Sequence, residues 1–450
     1  MPSLRLKLSR VGAAATLLAG LVLTSSPQVA VGVVFPAVGA KPHVVPATPD
    51  ANQHFACQDR HLDDPSQTPS CYDPQSIRTA YGFDKLLAQG ITGKGRTIVI
   101  IDAYQNPTIK ADLAAFDAAF GLKAPPALNI IAPYGLTPFD STDANQVGWS
   151  SEISLDVEWA HAIAPDARID LVLAKDSEDA SINKVTKYAV DRNLGDVISQ
   201  SFGGAENCAK PSDVQALHET YQKATARGIT LIASSGDEGA AQLTCDLTAY
   251  QRVASWPADD PLVTSVGATN LQANLDTGAY VYERAWADAF SGCSPARQFG
   301  CSGGGFSNIF DRPAYQASTD GTKRGHRGVP DVALNGGVDG GVLAYWGVGG
   351  GFYIFGGTSA GAPQWAGLVA LADQLARERL GLVNPDLYSI AGSNRLGGSA
   401  FHDITAGNNN FQNVDLSTIA GYKTARGWDA VTGLGSPRAN VLVQLLAHMN

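Results

Sequence analysis

Between Arg96 and Gly239 the chain alternates short continuous apolar runs with segments of helical periodicity, and nothing else in the sequence limits the fold as tightly. RTIVIID (Arg96–Asp102) reads as a strand, KADLAAFDAAFG (Lys110–Gly121) as a helix closed by glycine, and ALNIIAP as a second strand. A helix around SEISLDVEWAHAIA (Ser151–Ala164), the strand RIDLVLA (Arg168–Ala174) and a helix from Ala180 to about Arg192 follow. Next come DVISQSFGG, a helix from Pro211 to Arg227, and TLIASSGDEG (Thr230–Gly239). Strands apolar on both faces must be covered on both, and strands joined through helices run in the same direction. The expected class is α/β: a mainly parallel central sheet with helices on both faces, in a single large domain spanning 77–450. From Ala240 to Gly351 the pattern turns loop-rich and Gly-rich, where large α/β proteins place the loops that form their sites.

Of the 450 residues 44% are apolar and 16% charged, so the chain is globular rather than disordered. A net charge of −10, with no basic run beyond the first ten residues, argues against nucleic acid or an anionic membrane surface as partner. Those first residues, MPSLRLKLSR, carry Arg5, Lys7 and Arg10, and the uncharged stretch Val11 to Thr24 follows. A basic start and an apolar run below the ~20 residues needed to span a bilayer read as a secretory signal peptide. Residues 1–30 are assigned to it, with cleavage near Ala30 and a secreted, extracellular product. Residues 31–76, rich in Pro, Ala and polar residues without periodicity, read as a linker or short N-terminal arm. In an exported chain the six cysteines point to disulfides. Proximity pairs Cys57 with Cys71, Cys208 with Cys245 and Cys293 with Cys301.

Three stretches carry chemistry. SEISLDVEW sets Glu152 and Asp156 four residues apart, on one helical face one turn from each other. With Glu158 nearby this could be an acidic solvated face. Ile153, Leu155, Trp159 and Ile163 argue instead for burial, and a buried carboxylate pair shares a proton and suits acid–base work. LIASSGDEGA places Asp237 in a Gly-flanked turn at the carboxyl end of a strand: either an Asx-turn or a neutral acid able to donate to a developing oxyanion. GGTSAGAP puts Ser359 at a helix N-terminus after a tight turn, as an ordinary cap or a nucleophile. As a bare G-x-S-x-G it also fits a nucleophile elbow, which would call on Asp403, Asp415 or Asp429 with His448.

Together these stretches resemble the subtilisin fold and, within it, the sedolisin family of serine-carboxyl peptidases. In subtilisins the strand equivalent to TIVIID carries a catalytic Asp, and HGTHVAG, a GNEG-like turn and GTSMAxP follow. Here Asp102 holds the first place, ExxxDxExAHAIAPDA replaces the histidine motif, and GDEG shows Asp237 in place of Asn. GGTSAGAPQWAG resembles the sedolisin serine motif, and SQSFGGAE (Ser199–Glu206) that family's substrate-binding strand. The resemblance covers about Ile77 to Pro437. It implies a peptidase acting on protein or peptide substrates in acid, as a monomer: Ser359 the nucleophile, Glu152 its base, Asp156 the support of Glu152, and Asp237 the oxyanion donor. It also implies one structural Ca²⁺, held near HDITAGNN and ARGWDAVTGLGSP by the Asp403 and Asp429 carboxylates and the carbonyls of Ile404, Ala425 and Gly427. About 45 residues between signal and domain leave no room for the folded propeptide that family members often carry. Two other readings stand beside it: an Asp102/His161/Ser359 triad of subtilisin type, and a secreted binding protein built on a decayed form of the fold.

Overall fold

The computed structural model describes residues 35–36, 44–50, 53–59, 70–274, 276–287, 300–317, 319, 321, 325–393, 395–413 and 415–449. The first strands are β1 (Phe35–Pro36) and β2 (Val44–Ala47). The alternating region then yields β3 (Thr97–Ala103), α1 (Ile109–Phe120), β4 (Leu128–Ile131), α2 (Ala144–Ile163), β5 (Arg168–Ala174) and α3 (Asp179–Arg192). It closes with β6 (Val197–Gln200), β7 (Phe202–Ala205), α4 (Pro211–Ala226) and β8 (Thr230–Ser234). Strands β3, β4, β5, β6 and β8 are parallel neighbours in one sheet, as their continuous apolar sequences require.

The helix that carries Glu152 starts seven residues before the expected Ser151, at Ala144. The Asp143 carboxylate caps it, accepting from the Asn145 amide at 2.9 Å, and the added turns contain Gly148 and polar residues without apolar periodicity. DVISQSFGG is two strands: β6 stays in the central sheet, and after Ser201 the chain leaves it as β7.

The stretch 240–351 is a correction to the loop-rich reading. It holds β9 (Ser255–Trp256), β10 (Thr264–Ala273), β11 (Tyr280–Ala285), β12 (Gly305–Asp311), β13 (Val332–Asn335) and β14 (Gly341–Trp346). Strand β15 (Gly351–Phe355) and α5 (Gly361–Ala376) follow. The central sheet runs β11-β10-β8-β6-β3-β5-β4, with β13 also paired to β10. Strand β10, TSVGATNLQA, escapes an apolar-run criterion because it buries polar side chains, several of them satisfied internally. Thr269, for one, donates to the buried Glu283 at 2.5 Å.

Side chains alternate across β3. Ile98 and Ile100 enter the core shared with α2 and α5, and Val99 and Ile101 the core under α3 and α4. The consequence for function lies in α2, where every residue from Trp149 to Ile163 is buried, so the acidic stripe is not a solvated face. Two small sheets flank this body, one ordered β1-β7-β9 and the other formed by β2, β15, β14 and the pair Cys71–Tyr72. Among the described residues no helix is long and apolar enough to cross a membrane.

Cys57 is bonded to Cys71 and Cys208 to Cys245, as proximity predicts. Cys301 is disulfide-bonded, and its expected partner Cys293 lies outside the described residues. Opening the Cys57–Cys71 link, which spans 14 residues, should remove roughly 2–4 kcal/mol of stability, measured by urea unfolding of the double Ser variant.

Candidate active site

Asp102 at the end of β3, Glu152 and Asp156 on α2, and Ser359 between β15 and α5 come together at the carboxyl end of the central sheet. All four are at most 2% exposed. Asp156 Oδ1 accepts from Ser201 Oγ at 2.8 Å. Its Oδ2, Glu152 Oε1, both Asp102 carboxyl oxygens and Ser359 Oγ form no hydrogen bond among the described residues. Burial, and then the charge of Asp156, holds the Glu152 carboxyl well above the usual carboxylate range, while the adjacent Ser359 hydroxyl pulls it back down. Asp156 is raised by burial and then by Asp102, and Asp102 by burial and then by Glu152. Three mutually repelling carboxyls thus hold fewer than three negative charges, and their protons are lost as a set.

Ser359 follows a turn that only glycine permits. Gly357 has φ +111°, and a Cβ there would come within 2.7 Å of Asp237 Oδ2. That space admits the Asp237 carboxyl, whose Oδ1 accepts from the Thr358 amide and the Thr358 hydroxyl, both at 2.8 Å. Asp237 therefore fixes the short 3₁₀ turn Thr358–Ala360 that presents the serine hydroxyl to Glu152. Of the residues flagged from sequence, Glu152, Asp156, Asp237 and Ser359 are all brought to this one site. Asp102, read as the holder of a subtilisin position and as the acid of the alternative triad with His161, joins the carboxyl set. Its signal was a lone acid ending an otherwise apolar strand.

The alternative partners of Ser359 are corrected. His161 lies about 13 Å further along α2 than Glu152, given the rise of a helix. Its Nε2 is 3.2 Å from Asp117 Oδ1 on α1. His448 is exposed and its Nδ1 binds the Gln444 carbonyl at 2.6 Å, while Asp415 holds Ser417 in an exposed turn. The nucleophile-elbow reading therefore has no acid–histidine pair among these residues.

Near the C-terminus, Asp403 accepts from the Gly427 amide at 3.1 Å. Asp429 accepts from the amides of Ala425, Val431 and Thr432 at 2.9, 3.0 and 2.8 Å. The Asp403 and Asp429 carboxylates thus both hold the segment 425–427, through its Gly427 and Ala425 amides. Burial pushes Asp429 up to about 6, against the pull of the Ala425, Thr432 and Val431 amides. Among the described residues no group of three or more His, Cys, Asp or Glu side chains could hold a metal, so a cation here would depend on backbone carbonyls. Two carboxylates and carbonyl oxygens are the donor chemistry of a hard cation.

Residues 146–386 match the profile of the Subtilase family. Kumamolisin from Bacillus sp. (strain MN-32) is 33% identical over 389 residues, covering 85% of this chain and 64% of that one. Sedolisin from Pseudomonas sp. (strain 101) is 28% identical, covering 83% of this chain and 59% of its own. Tripeptidyl-peptidase 1 from Dictyostelium discoideum is 28% identical, covering 74% and 52% respectively. The chain therefore spans between about half and two-thirds of the length of these relatives. A solved structure of Pseudomonas sedolisin, described as a serine-carboxyl proteinase in complex with two molecules of pseudo-iodotyrostatin, superposes with a TM-score of 0.71. Identity to it is 27%, and the match covers 84% of this chain and 98% of that one. The chain belongs to the subtilase family, in its sedolisin branch, and has the subtilisin-like fold.

The carboxyl set fixes a sign for stability. Groups whose pKa is raised on folding contribute fully below their unfolded values, near pH 4, and the contribution is lost as pH rises through the folded values. Urea unfolding should therefore show stability falling from pH 4 to pH 7, with a shallower fall in Asp102→Asn.

Proposed function

We propose that the protein is a secreted serine-carboxyl peptidase that hydrolyses peptide bonds in acid. The observation that carries this reading is the buried Ser359 hydroxyl facing Glu152, a carboxyl raised by burial and by its neighbour one helical turn away. Ionised Glu152 takes the Ser359 proton as Oγ attacks the substrate carbonyl, Asp156 shares the resulting proton load, and the loaded Glu152 then protonates the leaving amine. The carbonyl oxygen becomes an oxyanion beside the Thr358–Ala360 turn. There Asp237, with Oδ1 occupied by Thr358 and a proton on Oδ2, donates to it. Water, activated by the same carboxylate, releases the acyl group.

Strand β7 supplies the peptide lane. It starts one residue beyond Ser201, the hydroxyl that binds Asp156, and its outer edge takes an antiparallel strand: Phe35 pairs with Gly203 and Pro36 with Phe202. A substrate backbone added along this edge is held by main-chain hydrogen bonds. The relatives named tripeptidyl-peptidase 1 and, as a serine-carboxyl proteinase, sedolisin favour this reading over a decayed binding protein. The signal-like residues 1–30, the arm 31–76 and the disulfides support export of a catalytic domain at 77–450 that works as a monomer. Asp403 and Asp429, with the carbonyls of Ile404, Ala425 and Gly427, would hold one Ca²⁺. The ion would neutralise two acids and tie the loop beginning at Asp403 to the one ending at Asp429.

Glu152→Gln should lower kcat in acid by about 10²–10⁴, with the protein still folded by circular dichroism. Peptide hydrolysis that survives at neutral pH in this variant would contradict the carboxylate base. Removing calcium with a chelator should lower the melting temperature. An unchanged value after metal analysis shows the ion gone would contradict a stabilising site.

A further inference from the structure

A second pair of buried acids lies at the far end of the peptide lane. Glu206 follows β7 directly, Asp259 stands in the turn after β9, and Ser307 lies on β12. All three are at most 1% exposed. Ser307 Oγ is 2.6 Å from Glu206 Oε2 and 2.8 Å from Asp259 Oδ2. The same oxygen accepts from the Ile309 and Phe310 amides, both at 3.0 Å. A hydroxyl has one proton and two lone pairs. The single proton serves one carboxyl only, and the Asp259 oxygen must share the acceptor side of the hydroxyl with the two amides. The other approach brings two oxygens together and is tolerated only if the two acids hold a proton between them.

Its location follows from the donors. Both oxygens of Glu206 already face donors: Oε1 accepts from the Asn308 amide at 2.7 Å and from Asn308 Nδ2 at 2.8 Å, and Oε2 meets the Ser307 hydroxyl. Asp259 Oδ1 has no hydrogen-bond partner among the described residues, and burial followed by Glu206 raises the Asp259 carboxyl well above the usual range, against the pull of Ser307. Asp259 is the proton carrier. The surrounding charges act in the same sense. Asp260 raises Asp259 further and is itself paired with His218 Nδ1 of α4 at 2.7 Å, and Tyr221 of α4 and Tyr315 feel the negative charge of Asp260. Asp260 raises the His218 pKa, so this compensating cation is present in acid and fades as the medium becomes less acidic.

We propose that Glu206 and Asp259 share one proton and together position the β7–β9 ribbon, holding the peptide lane in acid and releasing it toward neutrality. The ribbon has no slack. Ala205 pairs with Ser255 and Gly204 with Trp256, and a Cβ on Gly203 would meet Ser255 Oγ at 2.3 Å. Ser201 ties its head to Asp156, and Glu206 ties its tail through Ser307 to β12. Loss of the shared proton leaves two buried carboxylates facing one hydroxyl, and their repulsion separates the tail of β7 from the turn after β9. These are positioning residues, and their effect on substrate rests on the peptidase reading above, in which β7 is the substrate strand.

The test is Asp259→Asn, whose amide donates where the neutral acid did and has no proton to lose, with Glu206→Gln as the second variant. Melting temperatures from pH 4 to pH 7 read the pair without any activity. The fall in melting temperature with pH should be shallower in either variant than in wild type. Where peptide hydrolysis is measured, the rise in KM toward pH 6 should be smaller in either variant than in wild type. A pH dependence of melting identical to wild type in both folded variants overturns the shared proton. A shallower melting profile with a wild-type rise in KM overturns the positioning of the lane. Absence of hydrolysis by the wild-type protein would count against the peptidase reading and leave the melting test in force.

Discussion

Burying a carboxyl group in apolar surroundings is costly unless it is paired or neutral, and α2 buries several with no ion pair to Glu152, Asp156 or Asp102 among the described residues. Much else in the structure depends on this constraint. Glu152, Asp156 and Asp102 cannot all be ionised, so the helix is most stable where the medium supplies protons. The same condition suits a serine that hands its proton to a carboxylate. A histidine base would need pH near its own pKa, about 6.5. Fold stability and proposed chemistry therefore call for the same pH range, for one physical reason.

Placement of the groups follows from strand ends. Asp102 ends β3, Ser201 separates β6 from β7, and Asp237 lies just beyond β8, all at the carboxyl edge of the parallel sheet. The helix bearing Glu152 and the turn bearing Ser359 meet there. Gly357 is the narrowest point of the arrangement: a side chain at that position would displace Asp237 and with it the turn that presents the serine.

Much of this was legible in the sequence, because its signals are local. Continuous apolar runs gave the parallel strands, the four-residue spacing of Glu152 and Asp156 gave their common helical face, and short separations gave two disulfides. Strand β10 was not legible, since its Ser, Thr and Asn residues look like a loop until partners such as Glu283 are present. Asp102 joining the carboxyl set was missed for a related reason: its neighbours lie 50 residues away along the chain, and no periodicity links them. Alternatives that relied on residue type alone, such as His161 for Ser359, failed on geometry. A helical residue nine positions beyond Glu152 lies more than two turns away.

In the proposed chemistry a carboxylate, rather than an imidazole, accepts the Ser359 proton. The rate at which an activated peptide ester acylates Ser359, followed by the mass shift of the acyl-enzyme across pH, measures that step alone. Acylation should follow ionisation within the carboxylate set and stay unchanged when accessible histidines are modified with diethyl pyrocarbonate. A rate that follows an ionisation near 6.5, the value of an ordinary histidine, and is lost on that modification would contradict it.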